Sequence, residues 1–281
     1  MLNRLFTFLG RLSEEPPFRL FTKLLVKAFP VSVRTKARWD VASRPQYLAG
    51  VLAAANEALE EGVEEISVFE FGVAGGNGLL ALEEIAGWVE AETKVRIAVY
   101  GFDAGSGLPD LIGDYRDCPD RWQEGDYPMD EKALRARLGS RTALVLGNIK
   151  DTLPKYLPQI TQPIGFVAVD VDIYSSTCDV LRIFLLPGKK MLRRVFMYFD
   201  DVDLMFTHRF AGELLAIDEF NASSSGVKID NWRSVAKQRP FPEAAWLNRM
   251  YIAHDLEAIS RMRPRRDRKI ITVDDSQGNT A

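Results

Sequence analysis

The chain has 281 residues, 47% of them hydrophobic, and carries a formal net charge of -3. This length and apolar content predict one main domain with a large core. The charge is unevenly distributed: residues 1–44 contain nine basic and three acidic side chains, residues 261–281 contain six and three, and the middle contains 21 and 33. An acidic middle argues against a nucleic-acid groove across the core, although the basic ends could contact phosphate or anionic lipid.

The cysteines and the N-terminal sequence indicate the cellular compartment of the protein. Cys118 and Cys178 have no partner at metal-ligand spacing, so free thiols in a reducing compartment are expected. The N-terminus lacks the long apolar run and cleavage site of a signal peptide, and no segment approaches the roughly 20 apolar residues of a membrane span. These features predict a cytoplasmic protein with no transmembrane segment.

Three regions are predicted along the chain: a basic helical extension over residues 1–43, the main domain over 44–260, and a disordered basic tail over 261–281. In the extension, residues 2–12 and 18–29 both repeat apolar residues near helical spacing with basic residues elsewhere. Such helices could lie weakly on a membrane surface. The alternative is that they cap the domain or a partner subunit of a homo-oligomer.

The main domain predicts a parallel sheet. A helix over 44–61 comes first, and apolar runs then alternate with amphipathic helices, which is the sequence sign of βαβ units. Strands are predicted at 66–71, 96–102, 142–146, 164–169 and 194–199, and helices at 78–90, 130–138, 151–157, 176–186 and 212–220. Two strand candidates near 227–236 and 247–254 indicate an antiparallel strand inserted at one edge. The predicted fold class is α/β, with a doubly wound, mostly parallel, seven-stranded sheet.

Two irregular segments interrupt this pattern. Residues 103–129 are crowded with Gly, Pro, Asp and aromatic residues, and a loop of this length in a compact domain is usually a lid or a binding surface. Residues 187–194 form a Pro-Gly turn and a basic run before the fifth strand. We expect the long loop, together with the N-terminal helices, to form much of a substrate pocket.

A glycine-rich turn joins the first strand to the next helix within residues 65–84. Its glycines remove Cβ atoms where the backbone turns sharply and approaches a ligand, and the helix that follows points free N–H groups at the same place. They are Gly72, Gly75, Gly76 and Gly78. The turn is the predicted cofactor site, but residues 76–81 also match Gly-x-Gly-x-x-Ala with Asp103 beyond, the fingerprint of a dinucleotide-binding oxidoreductase.

Polar side chains stand at the carboxyl ends of all five parallel strands, where ligands bind in such sheets. They are Glu70, Asp103, Asn148, Asp170, Asp172, Asp200 and Asp201. Asp103 is placed to accept hydrogen bonds from the two hydroxyls of a ribose, with helix capping as the alternative. Asn148 could pair with an adenine edge or serve only as a turn residue.

The aspartates after strands four and five predict a metal site. Asp170, Asp200 and Asp201 converge if these strands are neighbours, and like charges this close repel unless a cation lies between them. Oxygen ligands without Cys or His suit Mg²⁺, or alternatively Mn²⁺ or Ca²⁺. Helix capping and loop solvation are the alternative for each Asp taken singly.

Four motifs in order resemble a known family. Residues 70–78 resemble the first motif of class I S-adenosylmethionine-dependent methyltransferases, which have a Rossmann-like fold. More specifically, four motifs together resemble the macrocin O-methyltransferase family of natural-product sugar methyltransferases: residues 101–109, 146–154, 169–177 and 199–202. The similarity covers about residues 65 to 220. The chain departs from the family pattern in its basic run before the fifth strand and at Asn148.

The resemblance implies S-adenosylmethionine as cofactor, bound by Glu70, Gly72, Ala74, Gly76, Asn77, Asp103 and Asn148. It also implies a divalent metal on Asp170, Asp200 and Asp201 that binds the acceptor hydroxyl, with Asp170 or Asp172 as the base. The predicted function is therefore a metal-assisted O-methyltransferase acting on a hydroxyl of a small molecule, such as a sugar or natural product. A nucleotide-dependent oxidoreductase and a non-catalytic cofactor-binding or assembly module are the alternatives.

Overall fold

The computed structural model describes residues 15, 18–188, 190–223, 226–237 and 239–261. The helix predicted over residues 2–12, and all but the first residue of the predicted tail, lie outside the described residues. Both stay predictions, as do the boundaries of the three predicted regions.

Seven strands form one sheet. They are β1 (Glu65–Phe71), β2 (Arg96–Asp103), β3 (Thr142–Leu146), β4 (Ile164–Val169), β5 (Met191–Phe199), β6 (Val227–Asn231) and β7 (Met250–Asp255). Their order is β3-β2-β1-β4-β5-β7-β6. The first five run parallel, and β7 pairs antiparallel with both β5 and β6. The predicted doubly wound α/β sheet and its antiparallel insertion are confirmed.

The central strands are apolar because both faces of the sheet are covered. All six residues of β4 are buried, and so are residues 66–71 of β1. This is the reason that the parallel strands appear in the sequence as continuous apolar runs instead of alternating ones. From β1 the chain adds β2 and β3 on one side of the sheet, and it then adds β4 and β5 on the other side of β1. A crevice forms between β1 and β4, where the strand order switches sides in this way.

Nine helices are described around the sheet: α1 (Phe18–Ala28), α2 (Val33–Arg38), α3 (Pro45–Glu61), α4 (Asn77–Thr93), α5 (Glu131–Arg135), α6 (Ile149–Tyr156), α7 (Tyr174–Leu181), α8 (Gly212–Ser223) and α9 (Leu256–Arg261). One core cluster joins one face of the sheet to α2, α3, α4 and α5. A second cluster joins the other face to α6, α7 and α8. None of the helices in this described part combines the length and apolar character needed to cross a bilayer.

The basic run before β5 belongs partly to the strand. The prediction began this strand at residue 194, whereas β5 begins at Met191. Arg193 contacts Glu57 and Glu61 of α3, both at 3.3 Å, and Arg194 contacts Glu57 at 3.0 Å. These ion pairs explain why basic residues occur in a central strand: their charges are compensated by the helix that packs above it.

Candidate active site

One cavity of about 470 Å³ lies at the carboxyl ends of the parallel strands. Every site residue predicted from the sequence lines it: Glu70, Gly72, Ala74, Gly76, Asn77, Asp103, Asn148, Asp170, Asp172, Asp200 and Asp201. The sheet order explains this convergence, because β1 and β4 are neighbours and β2 and β5 flank them. The roles assigned to the individual residues stay predictions.

The glycine turn is built against the end of β4. Gly72 has φ 84°, and its N–H donates to the Phe102 carbonyl at 2.9 Å. A Cβ at Gly72 would overlap the backbone oxygen of Asp170. A Cβ at Gly78 would overlap the Glu70 carboxylate in the same way. The glycines therefore allow one turn to touch both the acid of β1 and the acidic cluster beyond β4.

Glu70 is a buried carboxyl with one partner. Its Oε1 accepts a hydrogen bond from the Tyr47 hydroxyl at 2.7 Å, while Oε2 is buried without one. Burial raises the pKa of Glu70 to about 8, against the opposing effect of the Tyr47 hydrogen bond. Burial therefore favours the neutral form of the Glu70 carboxyl, and its Oε2 has no hydrogen-bond partner among the described residues.

Asp103 holds two loops together. Its Oδ2 accepts from the N–H groups of Val73 and Ala74 at 2.7 and 2.9 Å, and its Oδ1 accepts from Gly105 at 2.6 Å. A carboxylate offers about four acceptor sites, so these bonds leave room for about one more. The carboxylate can meet one ribose hydroxyl more readily than the predicted pair.

Asn148 has a structural role at the start of α6. Its Oδ1 accepts from the N–H of Lys150 at 3.0 Å, which is a helix cap. The side chain is exposed at the rim of the cavity. The capping explains Asn at this position whether or not the amide also contacts an adenine.

The acidic cluster has elevated pKa values. Burial is the main cause, reinforced by neighbouring carboxylates, and it raises the pKa of Asp170 to about 7, that of Asp172 to about 7 and that of Asp201 to about 8. Full ionisation of such a set near neutral pH is unfavourable. The cluster must therefore retain protons or be neutralised by cations.

The backbone at Asp172 is strained. Asp172 has φ 63°, and the N–H of Ile173 donates to the carbonyl of Val171 at 2.6 Å, which makes a tight turn around it. A non-glycine residue in this conformation is uncommon and persists where the surroundings hold it. The turn presents the Asp172 carboxylate to the cavity, apart from the strand end that carries Asp170.

Three charged residues of the site were not predicted. Arg44 lies in the cavity 5.7 Å from the ring of Tyr47, and Arg249 contacts Asp200 at 2.9 Å. Glu213 is fully buried beneath the cluster, where its Oε2 accepts from the N–H of Asp201 at 2.9 Å. No motif marks them, and Glu213 is one of three acids in its helix.

The long loop forms one wall of the cavity, as predicted. Its two ends are joined by backbone hydrogen bonds: the N–H of Leu108 donates to the Asp126 carbonyl at 2.8 Å, and the N–H of Gly125 donates to the Leu108 carbonyl at 2.9 Å. Trp122 and Tyr127 project from it onto the cavity. The predicted contribution of the N-terminal helices is wrong for the described residues: neither α1 nor α2 lines the cavity, which begins at Arg44.

The donor chemistry of the cluster suits a hard cation. Asp201 Oδ2 is buried without a hydrogen-bond partner, and only oxygen donors are present. However, no three Asp, Glu, His or Cys side chains in the described ranges are arranged as a metal site. Asp200 is instead bonded to Arg249 and to the Tyr198 hydroxyl. The predicted ligands have the negative charge and the oxygen atoms that a divalent metal requires. One of them, Asp200, is paired with Arg249.

The chain is similar to several solved methyltransferases. The calicheamicin methyltransferase CalS11 shares 21% identity over 74% of this chain and 85% of its own, with a TM-score of 0.46. The O-methyltransferase NovP shares 18% over 75% and 79%, with a TM-score of 0.48. The Podospora anserina methyltransferase PaMTH1, bound to SAH, shares 15% over 90% and 94%, with a TM-score of 0.41.

No family model and no curated protein matches the chain. The solved structures belong to the class of enzyme that the sequence motifs resemble. With identities of 21% or less and TM-scores of 0.48 or less among these three, a functional assignment has to rest on the residues of the cavity itself.

Proposed function

We propose that the protein is an S-adenosylmethionine-dependent O-methyltransferase that acts on a hydroxyl group of a small molecule. The observation that carries the proposal is the single cavity in which the glycine turn and the acidic cluster meet. A cofactor turn alone fits many α/β enzymes. Carboxylates with pKa values near neutrality beside that turn supply the base that an oxygen nucleophile needs.

The cofactor half of the cavity comprises the turn and the first three strand ends. In the proposal, Gly72, Ala74, Gly76 and Asn77 form its backbone wall, Glu70 lies under it, and Asp103 and Asn148 contact the ribose and the adenine. S-adenosylmethionine, when bound, supplies an electrophilic methyl group. The chain's part is to hold that group beside the acceptor oxygen and to exclude water.

We assign the base to Asp172, with Asp170 as the alternative. A carboxylate whose pKa lies near 7 is ionised in part at neutral pH and takes a proton from a hydroxyl more effectively than an ordinary Asp. The strained turn at Asp172 favours it, because strain of this kind concentrates at functional sites. Asp172 would take the hydroxyl proton on a carboxylate oxygen as the acceptor oxygen gains the methyl group, and the carbon–sulfur bond of the cofactor would break to leave a neutral thioether.

Metal assistance is a further part of the proposal. Asp170, Asp200 and Asp201 would hold Mg²⁺, which would lower the pKa of the acceptor hydroxyl. The unpartnered Asp201 oxygen and the crowding of carboxylates support it. The contact between Arg249 and Asp200 favours the alternative, in which an arginine neutralises the cluster.

Calorimetric titration tests the cofactor. We expect S-adenosylmethionine and its demethylated product to bind, and NAD(H) not to bind in a parallel titration. Absence of binding at millimolar concentration would overturn the proposal, and binding of NAD(H) alone would favour the oxidoreductase.

The metal needs a separate experiment. Protein treated with chelator should lose methyl transfer to hydroxyl acceptors and regain it with Mg²⁺, and Mg²⁺ alone should raise the melting temperature of the wild type but not of Asp201→Asn. An unchanged rate in chelator would remove the metal and leave Arg249 as the compensating charge.

A further inference from the structure

Helix α1 carries an apolar face that the described part of the protein leaves uncovered. Its large side chains are exposed by 41% to 65%: Phe18, Leu20, Phe21, Leu24, Leu25 and, just after the helix, Phe29. We call these six residues the α1 face. A contiguous exposed apolar surface of this kind marks a protein contact or a membrane contact.

The opposite, polar side of α1 is the side that packs on the protein. Arg19 forms an ion pair with Glu243 at 2.8 Å and donates to the Pro240 carbonyl at 3.2 Å. One turn later, the Lys23 ammonium lies 4.8 Å from the ring centroid of Phe241. Residues four apart share a helix face, so these contacts fix the rotation of α1 and turn the α1 face outward.

The charge around the α1 face is mostly positive, although Arg19 and Arg34 are paired with Glu243 and Glu92. Residues 18–38 contain six Lys or Arg and no Asp or Glu. Lys27 is exposed in the last turn of α1, whereas Arg34 on α2, 63% exposed, lies 3.7 Å from the Glu92 carboxylate. In a symmetric contact with a second copy, each patch would face its own like charges, which repel. An anionic surface would compensate them.

We infer that the α1 face docks onto the surface of an anionic lipid bilayer. The Phe and Leu side chains enter the boundary between headgroups and acyl chains, and Lys27 at the end of the helix lies near the lipid phosphates. Helices with aromatic and aliphatic residues on one side and basic residues at the edge bind in this way without spanning. This inference is independent of the proposed function, since α1 does not line the cavity.

Vesicle sedimentation with the full-length protein tests the inference. The probes are vesicles of phosphatidylcholine alone and vesicles that also contain phosphatidylglycerol. We expect the wild type to sediment with the anionic vesicles, more weakly as salt is raised. Phe21→Ser with Leu24→Ser should lower the partition coefficient at least about tenfold, given the apolar area that leaves the lipid.

The matched control is Leu59→Ser with Leu185→Ser. These leucines are exposed by 49% and 52% and lie outside the α1 face. The control protein should sediment as the wild type does. Equal losses in the two double variants would overturn the inference, as would a wild type that stays in the supernatant with anionic vesicles.

Two other occupants would show themselves in the same experiments. If the α1 face joins two copies, the wild type is a dimer without lipid, Phe21→Ser with Leu24→Ser makes it monomeric, and vesicles have no effect. If residues 2–14 cover the face, vesicle binding is gained only when they are removed. Each of these results would replace the bilayer as partner.

Discussion

At the scale of single residues, the site is defined by carboxyl groups that do not ionise as ordinary ones do. Asp170 and Asp172 both have pKa values near 7, because they are buried and lie near other carboxylates. A folded protein tolerates such a cluster only at a cost in stability, and proteins accept that cost where function requires it. The group whose backbone is also strained is the one to which we assign proton transfer.

Asp172→Asn should lower kcat by about 10²- to 10⁴-fold, because an amide cannot take the hydroxyl proton. Binding of S-adenosylmethionine should change little. The pKa of Asp172 is raised from 3.8 to about 7, so its carboxyl is protonated below pH 7. The wild-type kcat should therefore fall as the pH drops through about 7, and steady-state rates across this range would measure it.

The control for this substitution is Asp120→Asn, since the Asp120 side chain is 76% exposed and lies outside the cavity. It should keep the wild-type rate and pH profile. A wild-type profile that stays flat through neutral pH, or an Asp172→Asn enzyme of normal rate, would exclude Asp172 as the base and direct attention to Asp170.

At the scale of elements, the connection from β1 to α4 decides what the cavity can hold. The turn begins at Gly72, which touches the end of β4, and α4 starts at Asn77. The turn thus lies between the ends of β1 and β4. At Gly72, no side chain separates its backbone from the backbone of Asp170. Its glycines differ in how strictly they are required.

Gly72→Ala should destabilise the protein by at least about 2 kcal/mol, because the φ of 84° is unfavourable for Ala and its Cβ would overlap the Asp170 oxygen. Gly75→Ala is a control within the same turn, since a Cβ there meets no atom within 4 Å. It should alter the free energy of unfolding by less than about 0.5 kcal/mol. Denaturant unfolding of the two variants would measure the difference, and equal effects would contradict the close approach of the turn to β4.

At the scale of the whole molecule, buried ion pairs connect the layers. Glu57 and Glu61 on α3 meet Arg193 on β5, and the Arg193 side chain is only 14% exposed. The α3 helix also carries Tyr47, which holds Glu70 at the cavity. The contact between helix and strand therefore supports the position of a site residue in addition to the core.

Arg193→Ala should lower the free energy of unfolding by about 2 kcal/mol, because it leaves two acids with reduced compensation in a mostly buried place. Arg209→Ala is the matched control: its ion pair with Asp218 at 2.9 Å is between side chains that are 75% and 44% exposed. The control should cost less than about 1 kcal/mol. Thermal and urea unfolding would test this, and a loss no larger for Arg193 than for Arg209 would show that the buried network adds no stability.

Much of the fold could be predicted because its signals are local. The strands showed as apolar runs, and the antiparallel insertion of β7 followed from two closely spaced runs at the end of the main domain. The start of β5 was missed because Arg193 and Arg194 do not look like strand interior. Their partners are on a helix more than 130 residues earlier, and nothing local indicates them.

The sequence by itself determined the order of strands and helices, the glycine turn and the acids at the strand ends, because each depends on neighbouring residues. Only the tertiary structure decided how those acids are used. In the folded chain, the Asp103 oxygens accept hydrogen bonds from backbone N–H groups, and Arg249 pairs with Asp200, which is 49 residues away in the sequence. The apolar side of α1 faces outward. The physical reason is that charge compensation and burial depend on which elements become neighbours, and sheet order, not local spacing, sets that.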